Sequence, residues 1–144
     1  MATMARVKLI EGITMLGESG SGHAVVMDAA EEVGGRDIGV RPMELLLMGM
    51  GGCSSIDVLN ILRKGRHDVT DCVAELVAKR AETEPKVFTE IKLEFTITGR
   101  KLTEKAVARA IELSMQTYCS ASIMLGKTAK IETSFSIIDA DAAE

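Results

Sequence analysis

Polar and apolar residues alternate along one stretch of this chain and separate into a long apolar run along another. From Val87 to Thr98, Val87, Thr89, Ile91, Leu93, Phe95 and Ile97 fall on one side, and Phe88, Glu90, Lys92, Glu94, Thr96 and Thr98 on the other. A period of two belongs to a strand with one packed face and one mostly wet face. Val69 to Arg80 is compatible with a partner strand, although its Ala, Glu and Leu residues leave a helix open. Glu82 to Lys86 (ETEPK) reads as a turn between the two, which predicts antiparallel pairing. Ile131, Thr133, Phe135 and Ile137 alternate again and predict a last strand. Arg6 to Met15 and His23 to Asp28 read as extended, with Gly12 as a bend and Gly17 to Gly22 as the turn between them. Residues 29–41 read as a loop made flexible by Gly34, Gly35 and Gly39, and Asp139 to Glu144 as a frayed tail.

Helical spacing governs two other stretches. In Arg41 to Gly65 (RPMELLLMGMGGCSSIDVLNILRKG) no side chain from Leu45 to Cys53 carries a charge or an amide. Pro42 suits the first helical position, having no N–H to leave unpaired there. Glu44 favours the positive end, and Arg63, Lys64 and Gly65 mark the other. Together they predict a helix of roughly 23 residues, about 34 Å long at about 1.5 Å per residue. Being apolar all round, it is expected to be buried on every side. Glu44 and Asp57 leave fewer than the roughly 18 uninterrupted apolar positions that a membrane span needs. Gly49, Gly51 and Gly52 each cost a helix about 1 kcal/mol relative to Ala, and close approach of another backbone is the simplest compensation.

The second helix is capped by Thr103, with Glu104 at its positive end. Val107, Ala110, Ile111, Ser114, Met115 and Tyr118 form its apolar stripe, and it should end or bend at Cys119. Ala121 to Leu125 adds a short apolar turn closed by Gly126. Strands in runs, with helices grouped between them, predict an α+β fold in one domain over residues 1–144, without repeat or linker.

Composition narrows the function. With 3% aromatics, no Trp, a net charge of −4 and a pI near 5.3, the chain is poorly equipped to bind nucleic acid. The N-terminal stretch has no apolar run of signal-peptide length. Cys53, Cys72 and Cys119 are too widely spaced, and odd in number, for a secreted disulfide framework. A reducing cytoplasm is the expected location, and no membrane partner is expected.

There is no phosphate-binding GxxxxGK motif, and the glycines at 17, 20 and 22 precede no helix. The possible metal ligands Cys53, Cys72, Cys119, His23 and His67 show no CxxC or HxxxH pairing, so no metal is expected. Cys72 lies in a strand without small neighbours and reads as structural. Cys53 and Cys119 remain, one mid-helix among glycines and serines, the other at a helix end. A peroxide-reducing thiol needs a thiolate, a second thiol within reach and an apolar pocket. Cys53 lies about three turns past Pro42, too far for help from the helix dipole, so a cation must come from elsewhere.

Here the chain resembles the OsmC/Ohr family, named for osmotic induction and organic hydroperoxide resistance. The resemblance rests on the order of elements, the Pro-opened PMELLLMGMGGCSSIDVL and Tyr118-Cys119-Ser120. LGES, PMELLLM, GGCSSIDV and YCSASIML are shared in similar form with its YhfA-like subgroup. The resemblance implies an OsmC-like α+β fold, with antiparallel sheets wrapped around a long buried central helix. It also implies an intertwined homodimer whose central helices cross. Its enzymes reduce organic hydroperoxides: Cys53 would attack, Cys119 would resolve, and an external thiol would restore both, with no bound cofactor.

Two departures from the peroxidase branches matter. The arginine they carry in an early strand turn has no counterpart between Arg6 and Arg36, and the glutamate they carry directly after the proline is Met43 here, with Glu44 one residue later. Arg36 or Arg41 from the glycine-rich loop is the candidate replacement cation, with Glu44 as the candidate acid. The alternative is an OsmC-fold protein that senses redox state or binds a small apolar ligand without efficient peroxidase activity. A third reading is a structural dimer whose cysteines only fill space.

Overall fold

The computed structural model describes residues 2–143, in two compact units that divide between Leu47 and Met48. The fold is α+β.

In the first unit, β1 (Ala5–Glu11), β2 (Thr14–Ser19) and β3 (Ala24–Met27) form an antiparallel sheet in the order β1-β2-β3. The single strand expected from Arg6 to Met15 is in fact a hairpin. Glu11 pairs with Thr14 across Gly12 and Ile13, and Gly12 takes φ +61°, a left-handed conformation that costs glycine no steric penalty. The expected turn over Gly17–Gly22 starts later: Gly17 lies inside β2, and the chain reverses where Gly22 donates to the Ser19 carbonyl at 3.0 Å.

The loop that follows is pinned, contrary to the flexibility expected of it. Asp28, 3% exposed, accepts from Thr14 Oγ1 at 3.0 Å and from the N–H groups of Ala29 at 2.8 Å and Arg36 at 3.1 Å. Burial pushes the Asp28 carboxyl up, but these bonds and a longer one from Ile38 outweigh it and hold it below the usual carboxylate range. A Cβ at Gly35 would collide with the Ala29 carbonyl, so that glycine serves close packing.

The helix α1 (Pro42–Lys64) has the expected ends. Glu44 Oε1 accepts from the Arg41 N–H at 2.8 Å, the arrangement by which an acid in the first turn caps a helix. By length and composition α1 would suffice to cross a membrane. It is not buried on every side: Met50, Gly51, Ser54, Val58 and Leu62 form one buried stripe, while Ile56 is 61% exposed and Leu46 and Met48 are each 48% exposed. One packed face accounts for one stripe. At Gly51 a Cβ would come within 2.7 Å of Leu76 Cδ1, whereas at Gly49 and Gly52 it would meet only open space.

In the second unit, β4 (Asp68–Arg80) and β5 (Phe88–Arg100) form the expected antiparallel pair. Ile91, Leu93, Phe95 and Ile97 of β5 are at most 1% exposed. β6 (Lys130–Asp139) runs parallel to β5, so this sheet is mixed and not antiparallel throughout. The helical crossover between β5 and β6 brings the chain back in the same direction. Thr103 caps α2 (Glu104–Leu113) by accepting from the Ala106 N–H at 3.1 Å. Ser114–Tyr118 then form a π-helical turn, in which the Cys119 N–H reaches back to the Ser114 carbonyl at 2.8 Å. The wider turn ends the apolar stripe early: Ser114 is buried, while Tyr118, expected on the stripe, is 57% exposed. α3 (Ser120–Leu125) completes the crossover. The expected frayed tail is partly tied down. Asp139 belongs to β6, and Asp141, in a 3-10 turn over Ala140–Ala143, accepts from Arg100 Nε at 3.1 Å; Glu144 lies outside the described residues.

Candidate active site

Cys53 and Cys119 come together from α1 and the α2–α3 junction. Their sulfurs and a carboxylate oxygen of Asp57 all lie within 4.8 Å of one another. The helix places Asp57 one turn beyond Cys53, on the same face. The π-helical turn delivers Cys119 as the residue before α3, with extended backbone at φ −78° and ψ 97°. Small side chains make the approach possible: Ser54 and Ser114, both fully buried, place their hydroxyls 3.1 Å apart.

The two thiols have different surroundings. Cys53 is partly accessible, whereas Cys119 is fully buried. Burial pushes the Cys119 thiol up. The Ser122 hydroxyl, at 3.0 Å, and the Ser122 N–H, at 3.4 Å, donate to its sulfur and pull it down, while Cys53 pushes it up again; the net direction is upward. No cation is among these groups. Ser114 Oγ donates to Asp57 Oδ2 at 3.1 Å, so its contact with Ser54 is an O–H donated by Ser54. Asp57 also lines a cleft of about 310 Å³ with Asn60, Ile61, Lys64, Leu113 and Tyr118.

The other candidates hold local structure. Arg36 Nη1 pairs with Glu11 at 2.9 Å, and its Nη2 and Nε donate to Thr14 Oγ1 at 3.1 and 3.2 Å. Arg41 Nη2 pairs with Asp37 at 2.7 Å, and its Nη1 donates to the Gly39 carbonyl at 3.1 Å. Glu44 is occupied in capping α1. Cys72, in β4, is half-buried, and its thiol is pushed up by burial and by Asp71 against a hydrogen bond from Ser55.

Asp57, Ser114 and Ser122 were missed as site residues by sequence reasoning. The four-residue step from Cys53 to Asp57 is the signal that could have found the carboxylate, since it puts both on one helix face. Ser114 stood in the apolar stripe and was read as packing. Ser122 lies three residues after Cys119, the spacing at which a residue preceding a helix is met by an N–H.

Residues 34–134 match the family model described as OsmC-like protein. The chain is 49% identical over 136 residues to Protein YhfA of Escherichia coli (strain K12), covering 94% of this chain and 98% of that protein. It is similar to a solved protein of Aquifex aeolicus VF5, with 31% identity, a TM-score of 0.85, and 96% and 98% of the two chains covered. A Legionella pneumophila structure described as an organic hydroperoxide resistance protein OsmC shares the fold at 20% identity, with a TM-score of 0.69 and 94% and 97% of the two chains covered.

Proposed function

The chain belongs to the OsmC-like protein family, and we propose that within it this protein is a thiol-dependent peroxidase acting on organic hydroperoxides. The observation that carries the reading is the meeting of two sulfurs, from residues 53 and 119, within 4.8 Å. Cys53, the accessible one, attacks the distal peroxide oxygen as a thiolate. The O–O bond breaks, the alcohol leaves, and Cys53 becomes a sulfenic acid. Cys119 then attacks that sulfur; a disulfide forms and water leaves with the Cys119 proton. An external thiol reduces the disulfide, so no bound cofactor takes part. Ser122 supports the second step, because its two donors favour the Cys119 thiolate as it forms.

Arg36 and Arg41 are the proposed sources of positive charge, and each serves only by giving up Glu11 or Asp37. A second copy of the chain is the proposed cover for Leu46, Met48 and Ile56, with Gly49 and Gly52 admitting its helix. That reading makes the apolar face of α1 a homodimer contact and not a membrane one, in a cytoplasmic protein.

The family alternative, a redox sensor or small-ligand binder without efficient turnover, is favoured by one observation: the Cys119 thiol is pushed up, and the groups acting on it, Ser122 and Cys53, include no cation. Thiol counting after mixing reduced protein with cumene hydroperoxide or hydrogen peroxide separates the two. Rapid loss of two thiols, faster with the organic peroxide, is expected of the peroxidase. Slow loss without preference would establish the alternative.

A further inference from the structure

We propose that the reduced protein captures a soft divalent cation, zinc(II) in chemical class, between Cys53, Cys119 and Asp57, and that this metal and the Cys53–Cys119 disulfide exclude each other. The ligand set fits. Two sulfurs and a carboxylate suit zinc, which is borderline-soft and takes sulfur and oxygen ligands alike. Tetrahedral zinc with bonds of about 2.3 Å to sulfur and about 2.1 Å to oxygen sets sulfurs about 3.8 Å apart and sulfur from oxygen about 3.6 Å. The three ligand atoms already lie within 4.8 Å of one another, so closure by at most about 1.2 Å completes the site.

The surroundings are those of an oriented ligand set. Ser114 Oγ holds Asp57 Oδ2 at 3.1 Å and is itself engaged by Ser54, and Ser122 fixes the Cys119 sulfur. Such outer partners fix the geometry of metal ligands and raise affinity. The groups acting on Cys119 include no cation, so a bound metal would supply the charge that two thiolates and a carboxylate lack. Three protein ligands leave the fourth position to solvent, which makes the ion exchangeable.

Capture is a proton exchange: each thiol that binds releases its proton to solvent as its sulfur–metal bond forms. No electrons move, so the bound sulfurs stay reduced. Oxidation by a peroxide passes one thiolate electron pair to the breaking O–O bond, whose oxygens leave as alcohol and water, and puts the other into the S–S bond, so the ion keeps only Asp57. The inference shares its residues with the peroxidase reading but does not depend on turnover.

The test is metal retention by the full-length reduced protein, using cobalt(II) and zinc(II) against a colorimetric chelator, without peroxide. One metal per protomer is expected, with a thiolate-to-cobalt charge-transfer band. Cys53→Ser and Cys119→Ser should each lower affinity by more than the roughly 10–100-fold typical of outer-partner loss, and Ser114→Ala by about tenfold. Cys72→Ser should leave affinity unchanged. Protein oxidised to the disulfide should retain none, a comparison that needs no variant, and zinc-loaded protein should resist thiol alkylation. Retention unaffected by Cys53→Ser and Cys119→Ser, a cobalt spectrum without the thiolate band, or equal retention by oxidised protein would overturn the proposal. Thiol loss to peroxide in metal-free protein is measured separately, so either reading can fail alone.

Discussion

The glycine-rich loop and the thiol site solve the same problem, placing reactive polar groups in a small protein, in opposite ways. In the loop the two arginines pair with carboxylates, Arg36 with Glu11 and Arg41 with Asp37, while Asp28 is held by the Thr14 hydroxyl and by backbone N–H groups, that of Arg36 among them. At the thiol site the neighbours are neutral hydroxyls, Ser122 on the Cys119 sulfur and Ser114, itself engaged by Ser54, on Asp57, and the charge among these groups is the Asp57 carboxylate. Ion pairs and backbone donors give the loop its order. Neutral partners leave the sulfurs free to form a bond to each other, to oxygen or to a metal.

The largest expected effect is on the thiol side. Cys53→Ser should slow single-turnover reduction of cumene hydroperoxide by about 10³-fold or more, since the nucleophile itself is removed. Cys119→Ser should keep the first attack but yield no intramolecular disulfide, with Cys53 advancing to sulfinic acid under excess peroxide; mass spectrometry reads both.

Next comes the outer face of α1. In an isolated chain Gly49→Ala and Gly52→Ala face open space, so each should stabilise the helix by about 1 kcal/mol. Where a second helix crosses there, both should instead weaken the dimer. Sedimentation and thermal melts of the two variants therefore decide whether that surface is covered.

Smaller effects are expected from the loop. Arg41→Ala should loosen residues 29–41 by under about 1 kcal/mol, the worth of an exposed ion pair, and, with Arg36 still present as the other proposed cation, should slow Cys53 alkylation by no more than about threefold. A drop of tenfold or more would assign thiol activation to Arg41 and erase the contrast between the two regions.

The smallest and most graded difference is in pH. The Asp28 carboxyl is held low in the fold, so its contribution is present above the unfolded carboxyl range and is lost as pH falls through its folded value. The Cys119 thiol is held high, so its contribution is present below the unfolded thiol range and is lost as pH rises through its folded value. Hydrogen exchange should find the loop opening first in acid, and the α2–α3 junction first in alkali.

The legibility of these features in the sequence follows their range. Pro42, Glu44 and the Arg63-Lys64-Gly65 ending mark α1 because helix ends are satisfied locally. The β4–β5 hairpin was legible for the same reason, through strict alternation on β5 and a short turn. Gly12 was read as a bend and the Gly17–Gly22 cluster as the turn, because composition shows where glycine is abundant and not where φ must be positive. The loop looked flexible because Asp28's partners, Thr14 and the Arg36 N–H, are 14 residues before it and 8 after it in sequence. All-round burial of α1 was expected from its composition, yet one chain offers only one packed face. At the site, the two cysteines stood out by their neighbours. Asp57 did not, because its importance depends on Cys119 and Ser114, more than fifty residues away.

The most direct test of the account is disulfide mapping after one equivalent of cumene hydroperoxide is added to fully reduced protein. Digestion under acid-quenched conditions should yield one crosslinked peptide pair joining Cys53 to Cys119, with Cys72 free. A Cys53 carried to sulfinic acid beside an untouched Cys119, or a crosslink through Cys72, would contradict it.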